Sequence, residues 1–476
     1  MTEAEARALF HQGEEAVVSF LVHLSRRLQS IEEQIARNSG NSSLPPSSDG
    51  LGKAPLKPMP QSLRKKTGRK RGGQKGHDGS TLALTDMPDQ VTEHRPARCK
   101  HCKEFLAEGP CATYSRRQVF EMPTPQVVVT EHRALTVTCP CCRKETTATF
   151  PESVSQPVQY GPALLGFATY LHVSHLIPFA RCAGIVHDVT QAPFSPGTLH
   201  RALQIASERL TSFADDLKQS LSEGACLHVD ETGTRVAGKL HWFHVRCTET
   251  LCCLFRHEKR GKDAVSDLID YRGRLISDFY GSYVKLTCPH QFCGAHLLRE
   301  LTFAKDVLKQ PFASPLMDVL ERMVNACHSA REQGAKQVAN AFVLAEEYDH
   351  WISDGLRANS PPASLGSKRD EKAKRGRVAK GKALCLLERL RDYRSECLAF
   401  LFDLSLPFTN NEAERDLRMF KVKGKISGCF RTMAGADVFC RLRSYTATCQ
   451  KQGMGLLNCL QSVFAGSPVM PQLGNA

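Results

Sequence analysis

Three acids and two cysteine pairs are the residues in this chain whose types and spacing could do chemistry. The stretch PFTNNEAERDLR (residues 407–418) sets Glu412, Glu414 and Asp416 among arginines in a basic protein. Glu414 has two readings. As the last member of a capping box opened by Asn411, its carboxylate would bond back to the cap N–H, and it stands four residues before Arg418, the favourable order for a helical ion pair. The other reading makes it a metal ligand whose partners lie far upstream. Asp230, in CLHVDETGTRV, and Asp278, in GRLISDFYGSY, are the candidates: each sits at the exit of an apolar strand-like run, before small or hydroxylated residues. Carboxylate oxygens of this kind suit Mg²⁺ or Mn²⁺, and a two-metal site needs a third carboxylate to hold the second ion. Cys99 and Cys102 of CKHC and Cys139 and Cys142 of CPCC form two knuckles of the type that ligates structural Zn²⁺, with Cys141 and Cys111 as spare thiols that could compete.

The elements that must position these groups are spread over 476 residues, too many for one ordinary domain. A formal charge of +14 and a pI near 9.0 favour a polyanionic partner, most simply nucleic acid. The acidic opening MTEAEARALFHQGEE has no basic region before an apolar core, so no signal peptide is expected. The most apolar stretch, Ala163 to Val186, is broken by His172, His175, Pro178 and Arg181, so no membrane partner is expected. Twenty cysteines without a secretory signal point to reduced thiols and a cytoplasmic setting.

Along the chain, residues 1–37 read as a zipper-like helix, with Val17, Leu21, Leu24, Leu28, Ile31 and Ile35 on one seam, suited to a homo-oligomer or to docking on its own protein. Residues 38–90 form a linker whose basic run carries Arg64, Lys65, Lys66, Arg69, Lys70, Arg71 and Lys75, cations suited to phosphate contacts on DNA. A zinc-binding module (91–150) precedes a helical region (151–222), where Ser195 caps a helix with Pro196 at its first position. That region is either a DNA-binding helix-turn-helix or a plain bundle. From residue 223 to 300 the periodicity becomes that of strands: three in succession, a helical segment (GKDAVSDLID), a fourth, and a short fifth (HQFCGAHL) running into a helix. A helical insertion (301–406), the helix bearing Glu414 (407–430) and a C-terminal region (431–476) complete the chain.

This element order resembles the ribonuclease H-like α/β fold, in which the strands bearing Asp230 and Asp278 are neighbours and Glu414 comes from a helix laid against the sheet. Paired carboxylates there are costly unless a cation lies between them. Arg415, Arg418, Lys421, Lys423 and Lys425 would then meet DNA phosphates. Glu231 should point to the opposite face of its strand as a structural residue, and His296 reads as a satisfied core histidine.

NSSLPPSSD with KRGGQKGH, the CxxC pairs, HVDETGTRV, SDFYGSY, CGAHLLRE and TNNEAERDLR, in that order, resemble the insertion sequence 66 family of transposases. The resemblance covers nearly the whole chain. It implies a DDE-type enzyme with Asp230, Asp278 and Glu414 as its catalytic, metal-holding triad. It also implies binding of terminal inverted repeats, metal-dependent cleavage and joining to target DNA, a nucleoid-associated setting, and accessory proteins of the same element. Two departures stand out: the extra cysteine in CPCC, and Gly294 where a bulky aromatic is expected. The alternatives are a ribonuclease H-like nuclease that cuts without joining, and a non-catalytic zinc-containing DNA-binding protein.

Overall fold

The computed structural model describes residues 2–37, 41, 82–106, 113–122, 127–359 and 380–474. Arg64, Lys65, Lys66, Arg69, Lys70, Arg71, Lys75 and Cys111 lie outside the described residues. Helix α1 (Glu3–Phe10) starts from a Thr2–Glu5 capping box. Helix α2 (Glu14–Ala36) leaves Leu21, Leu24, Leu28, Ile31 and Ile35 exposed. Its C-terminal end meets the helical insertion, where Glu33 pairs with Lys382 at 2.6 Å. A small antiparallel hairpin, β1 (Thr136–Thr138) and β2 (Glu145–Thr147), carries the second cysteine knuckle at its tip.

The core is a five-stranded sheet built from β3 (Cys226–Val236), β4 (Lys239–Cys247), β5 (Cys252–His257), β6 (Arg274–Ser277) and β7 (His290–Phe292). Their order is β5-β4-β3-β6-β7: the first three are antiparallel neighbours, and β6 and β7 add in parallel. A 3-10 turn (Lys262–Leu268) makes the crossover from β5.

Alternation along the strands sends side chains to two different cores. Leu227, Val229, Leu251 and Cys253 pack against α3 (Pro162–Val173), α4 (Phe179–Thr190), α5 (Pro196–Arg209) and α6 (Thr211–Glu223). Ser195 and Pro196 open α5 as expected, the Ser195 hydroxyl accepting from the Thr198 N–H at 3.0 Å. These helices bury their apolar faces on the sheet rather than standing apart as a free unit.

After the short α7 (Gly281–Val284), helices α8 (Gly294–Asp306), α9 (Ala313–Glu332), α10 (Ala341–Ala358), α11 (Lys382–Asp392), α12 (Arg394–Cys397) and α13 (Ala399–Phe402) build a separate core that reaches the sheet through Phe292. Phe243, Val245 and Leu254, on the sheet face opposite Val229, meet α14 (Asn411–Ser427) and α15 (Met433–Lys451); α16 (Leu456–Ala465) returns to α3.

Two tight contacts lock α14 in place. Asn410, its N-cap residue, is 2 % exposed and spends its side chain on the sheet, not on the helix: Oδ1 faces His228 Nδ1 at 2.8 Å and Nδ2 donates to the Val229 carbonyl at 2.8 Å. Its backbone N–H donates to Cys293 Sγ at 3.1 Å. Next to it, the Gly294 N–H donates to the Phe408 carbonyl at 2.8 Å, and the Phe408 ring fills the space where a side chain on residue 294 would stand. The missing aromatic of the CGAHLLRE segment is thus supplied in space by Phe408. A Cβ at Gly294 would lie 2.1 Å from that ring. Gly294→Ala should therefore cost about 1–3 kcal/mol in denaturant unfolding, whereas Gly281→Ala, with nothing within 4 Å of its Cβ, should stay within about 0.5 kcal/mol of the parent.

Candidate active site

Strand β3 pairs in parallel with β6, His228 opposite Ile276, and the same offset two residues on sets Asp230 beside Asp278 just past the end of β6. Val245, the cross-strand partner of Asp230 on β4, lies in the cluster beneath α14, so Asp230 faces that helix. Each aspartate has one oxygen fixed by a nearby backbone amide: the Glu231 N–H donates to Asp230 Oδ1 at 2.9 Å, and the Tyr280 N–H to Asp278 Oδ1 at 2.9 Å. Among the described residues, no hydrogen bond falls on either Oδ2.

Glu414 arrives from the first turn of α14. Burial holds the Asp230 carboxyl well above the usual carboxylate range, with the charges of Glu231, Asp278 and Glu414 pushing the same way. The strand register sets Asp230 beside Asp278, and Glu414 comes from the helix that Asp230 faces. They are not in mutual contact: among the described residues, the trio of ligand-type atoms lying within 4.8 Å of one another is Cys293, His296 and Glu414.

The capping box, one of the two readings of Glu414, is absent. The cap is Asn410, one residue earlier than Asn411, and it makes no side-chain capping bond. Glu414 turns instead toward His296 Nδ1, 3.9 Å from its Oε1, and Arg299, 4.0 Å from its Oε2. Glu414 Oε1 and His296 Nδ1 are both buried without a hydrogen-bond partner, so His296 is not the satisfied core residue its sequence context suggests. Burial lowers the His296 pKa, against the pull of Glu414 and Asp278.

The other two acids of the stretch have a structural task. Glu412 and Asp416, one turn apart, both reach Lys451, at 3.0 and 3.2 Å, and tie α14 to α15. Two residues along a helix is a rotation of about 200°, so Glu414 leaves their face.

Glu231 lies on the opposite face of β3 from Asp230, as expected. Its carboxylate takes bonds from Arg260, at 2.7 Å, and from the Tyr283 hydroxyl, at 2.7 Å. Arg260 is stacked 4.0 Å from the Tyr280 ring centroid and 4.9 Å from that of Trp242. On the far side Arg389, from α11, lies 4.4 Å from the Phe279 ring centroid and pairs with Glu300. Sequence reading passed over both cations, because nothing in the chain near residues 260 or 389 announces which carboxylate they approach. The Cys293-x-x-His296 spacing was the one available signal for the trio around Glu414.

Of the cations predicted to face DNA, Arg415, Arg418, Lys421 and Lys425 are exposed on α14. Lys423 is not. It is buried over the Phe430 and Phe439 rings, at 5.2 and 4.8 Å, and burial lowers its pKa to about 8. A phosphate contact by Lys423 is therefore ruled out by its position in this packing.

The cysteine knuckles are near copies of one another. The Cys99 N–H donates to the Glu104 carbonyl at 2.7 Å, and that of Cys139 to the Lys144 carbonyl at 2.8 Å. Lys103 and Arg143, at φ 67° and 57°, close the two turns in the left-handed region. The N–H of Cys102 first, then that of His101, lowers the Cys99 thiol pKa; Cys142 and Cys141 do the same for Cys139. Such turns are prepared for thiolate, yet among the described residues no three of the four sulfurs lie within 4.8 Å of one another.

Two family models match the chain. One, described as Transposase IS66 family, covers residues 157–438, more than half of the sequence and every residue of the acidic site. The other, described as a family of unknown function (DUF6444), covers residues 1–83. No curated protein matches. Among the described residues, no helix is long and apolar enough to cross a membrane.

Clustered carboxylates make the metal-free site self-repelling. Because the folded pKa of Asp230 lies above its unfolded value, its contribution to stability is present below the ordinary carboxylate pKa and falls as pH rises from there through the raised folded value. Asp230→Asn should stabilise the metal-free protein at neutral pH and so raise its melting temperature. Mg²⁺ or Mn²⁺ should raise it in the parent and much less in the variant, which a thermal melt with and without the ion would measure.

Proposed function

The chain belongs to the IS66 family of transposases, and from that premise we propose that it binds the terminal inverted repeats of a transposon and catalyses metal-dependent DNA strand cleavage and transfer at Asp230, Asp278 and Glu414. The observation that carries this reading is geometric: the β3–β6 register sets the buried Asp230 beside Asp278, on the sheet face covered by the helix that bears Glu414, and this crowding of acids raises the Asp230 pKa. A fold that holds such a knot of negative charge gains from a cation there. The oxygen-only aspartate donors and the orphaned Glu414 Oε1 fit hard divalent ions.

The sheet order, with three antiparallel strands continued by two parallel ones, supports a ribonuclease H-like core. When bound, a pair of Mg²⁺ or Mn²⁺ ions would activate the attacking oxygen and offset charge on the leaving oxygen. Asp230, Asp278 and Glu414 would be the residues to hold them. The backbone amides of Glu231 and Tyr280 keep the aspartates aimed, and exposed Arg415, Arg418, Lys421 and Lys425 meet the DNA backbone.

The rest of the molecule is read in the same frame. The basic run from Arg64 to Lys75 supplies further phosphate contacts, the knuckle cysteines gather on a structural Zn²⁺, and the exposed α2 seam joins copies of the chain. Residues 151–222 contact transposon-end DNA from their solvent side, and accessory proteins of the element complete the assembly.

Asp230→Asn, Asp278→Asn and Glu414→Gln should each slow cleavage of end-bearing DNA by roughly 10²–10³-fold, several kcal/mol of lost charge stabilisation, with end binding retained in a mobility-shift assay. Cleavage at the parent rate in any one variant would remove that residue from the site. A joined product separates a transposase from a nuclease that only cuts.

A further inference from the structure

Glu414 has a second set of neighbours that the hard-ion site does not use. Cys293 is the N-cap residue of α8 and His296 lies three residues on, the spacing that sets two side chains on one face of a helix. Their ligand atoms and a Glu414 oxygen lie within 4.8 Å of one another. The closest measured pair, His296 Nδ1 and Glu414 Oε1 at 3.9 Å, are both buried and both without a hydrogen-bond partner. Two such atoms, too far apart to bond each other and sealed from water, mark a place for a third body between them.

The donor set says what that body is. Ligands about 2.0–2.3 Å from one tetrahedral ion sit roughly 3.3–3.8 Å apart, so a small inward movement of the Glu414 side chain closes the set. A sulfur donor excludes Mg²⁺ and Ca²⁺, while thiolate, imidazole and carboxylate together suit an ion of borderline softness. The Asn410 N–H already points at Cys293 Sγ, the contact a metal-bound thiolate accepts. Arg299 donates to His296 Nε2 over a long 3.4 Å and approaches Glu414 Oε2 only to 4.0 Å, weak contacts that ion binding can displace. Ligation through Nδ1 leaves the ring proton on Nε2 and turns Arg299 outward.

We propose that Cys293, His296 and Glu414 form a further site for a single Zn²⁺-class ion, one that competes with the hard-ion centre for Glu414. Binding exchanges the Cys293 thiol proton for the metal: the S–H bond breaks, the S–metal bond forms, and one proton leaves to solvent. Resting on the reading of Glu414 as the third acid, an ion here holds that carboxylate on the α8 side and withdraws it from Asp230 and Asp278.

The test uses Co²⁺ as a visible substitute for zinc, titrated into the metal-free full chain in which Cys99, Cys102, Cys139 and Cys142 have been replaced by serine. The expected result is a thiolate-to-cobalt charge-transfer band that saturates at one equivalent, is lost in Cys293→Ser, and needs at least about tenfold more Co²⁺ in His296→Ala. No band in this full-length protein overturns the proposal, and so does a band of equal strength when Cys293→Ser is added, which would place the cobalt on other groups. If Cys293→Ser does not fold by circular dichroism, His296→Ala decides: undiminished cobalt affinity there overturns the site. The readout involves no DNA, so failure of the transposase reading would show separately, as absent strand cleavage with the band intact.

Discussion

Repulsion among the carboxylates around Asp230 is the constraint to which the rest of the structure answers. A folded chain does not assemble buried like charges without something to hold them there. Two devices do so. Parallel pairing of β3 with β6 puts Asp230 and Asp278 side by side, and Asn410 fastens the start of α14 to β3 through His228 and the Val229 carbonyl. Both use backbone and neutral groups, which leaves Asp230 and Asp278 with backbone amides as their hydrogen-bond partners and available to cations.

Helix α14 shows how one short sequence divides its labour. Ala413, Leu417 and Phe420 form its apolar stripe on the sheet. Glu412 and Asp416 grip Lys451 from one flank. Glu414, turned away from both, faces the Cys293–His296 pair and Arg299. Arg415, Arg418, Lys421 and Lys425 keep the solvent face. The mixture of acids and bases that looks contradictory in the linear sequence is resolved by helical rotation.

Much of this was legible from the residues. Alternating apolar patterns and short connections gave all five strands of the main sheet in their observed sequence order, and period-two alternation put Glu231 opposite Asp230. What the chain could not reveal depends on contacts between distant segments. Asn411 fits a cap by local spacing, but Asn410 takes the position because His228 and Val229, some 180 residues earlier, claim its side chain. Lys423 looks like its exposed neighbours until Phe430 and Phe439 fold over it. His296 looks satisfied until its Nδ1 is found facing an equally unpartnered Glu414 oxygen. Gly294 looks like a departure from the family until Phe408 fills the space beside it.

The most direct measurement is anomalous diffraction from Mn²⁺-soaked crystals of the full chain bound to DNA carrying its transposon ends. The account predicts two manganese peaks about 3.5–4 Å apart, with Asp230 touching both and Asp278 and Glu414 touching one each. Manganese absent from Asp230, or bound there while Glu414 stays turned away without a second ion, would contradict a three-acid, two-ion centre.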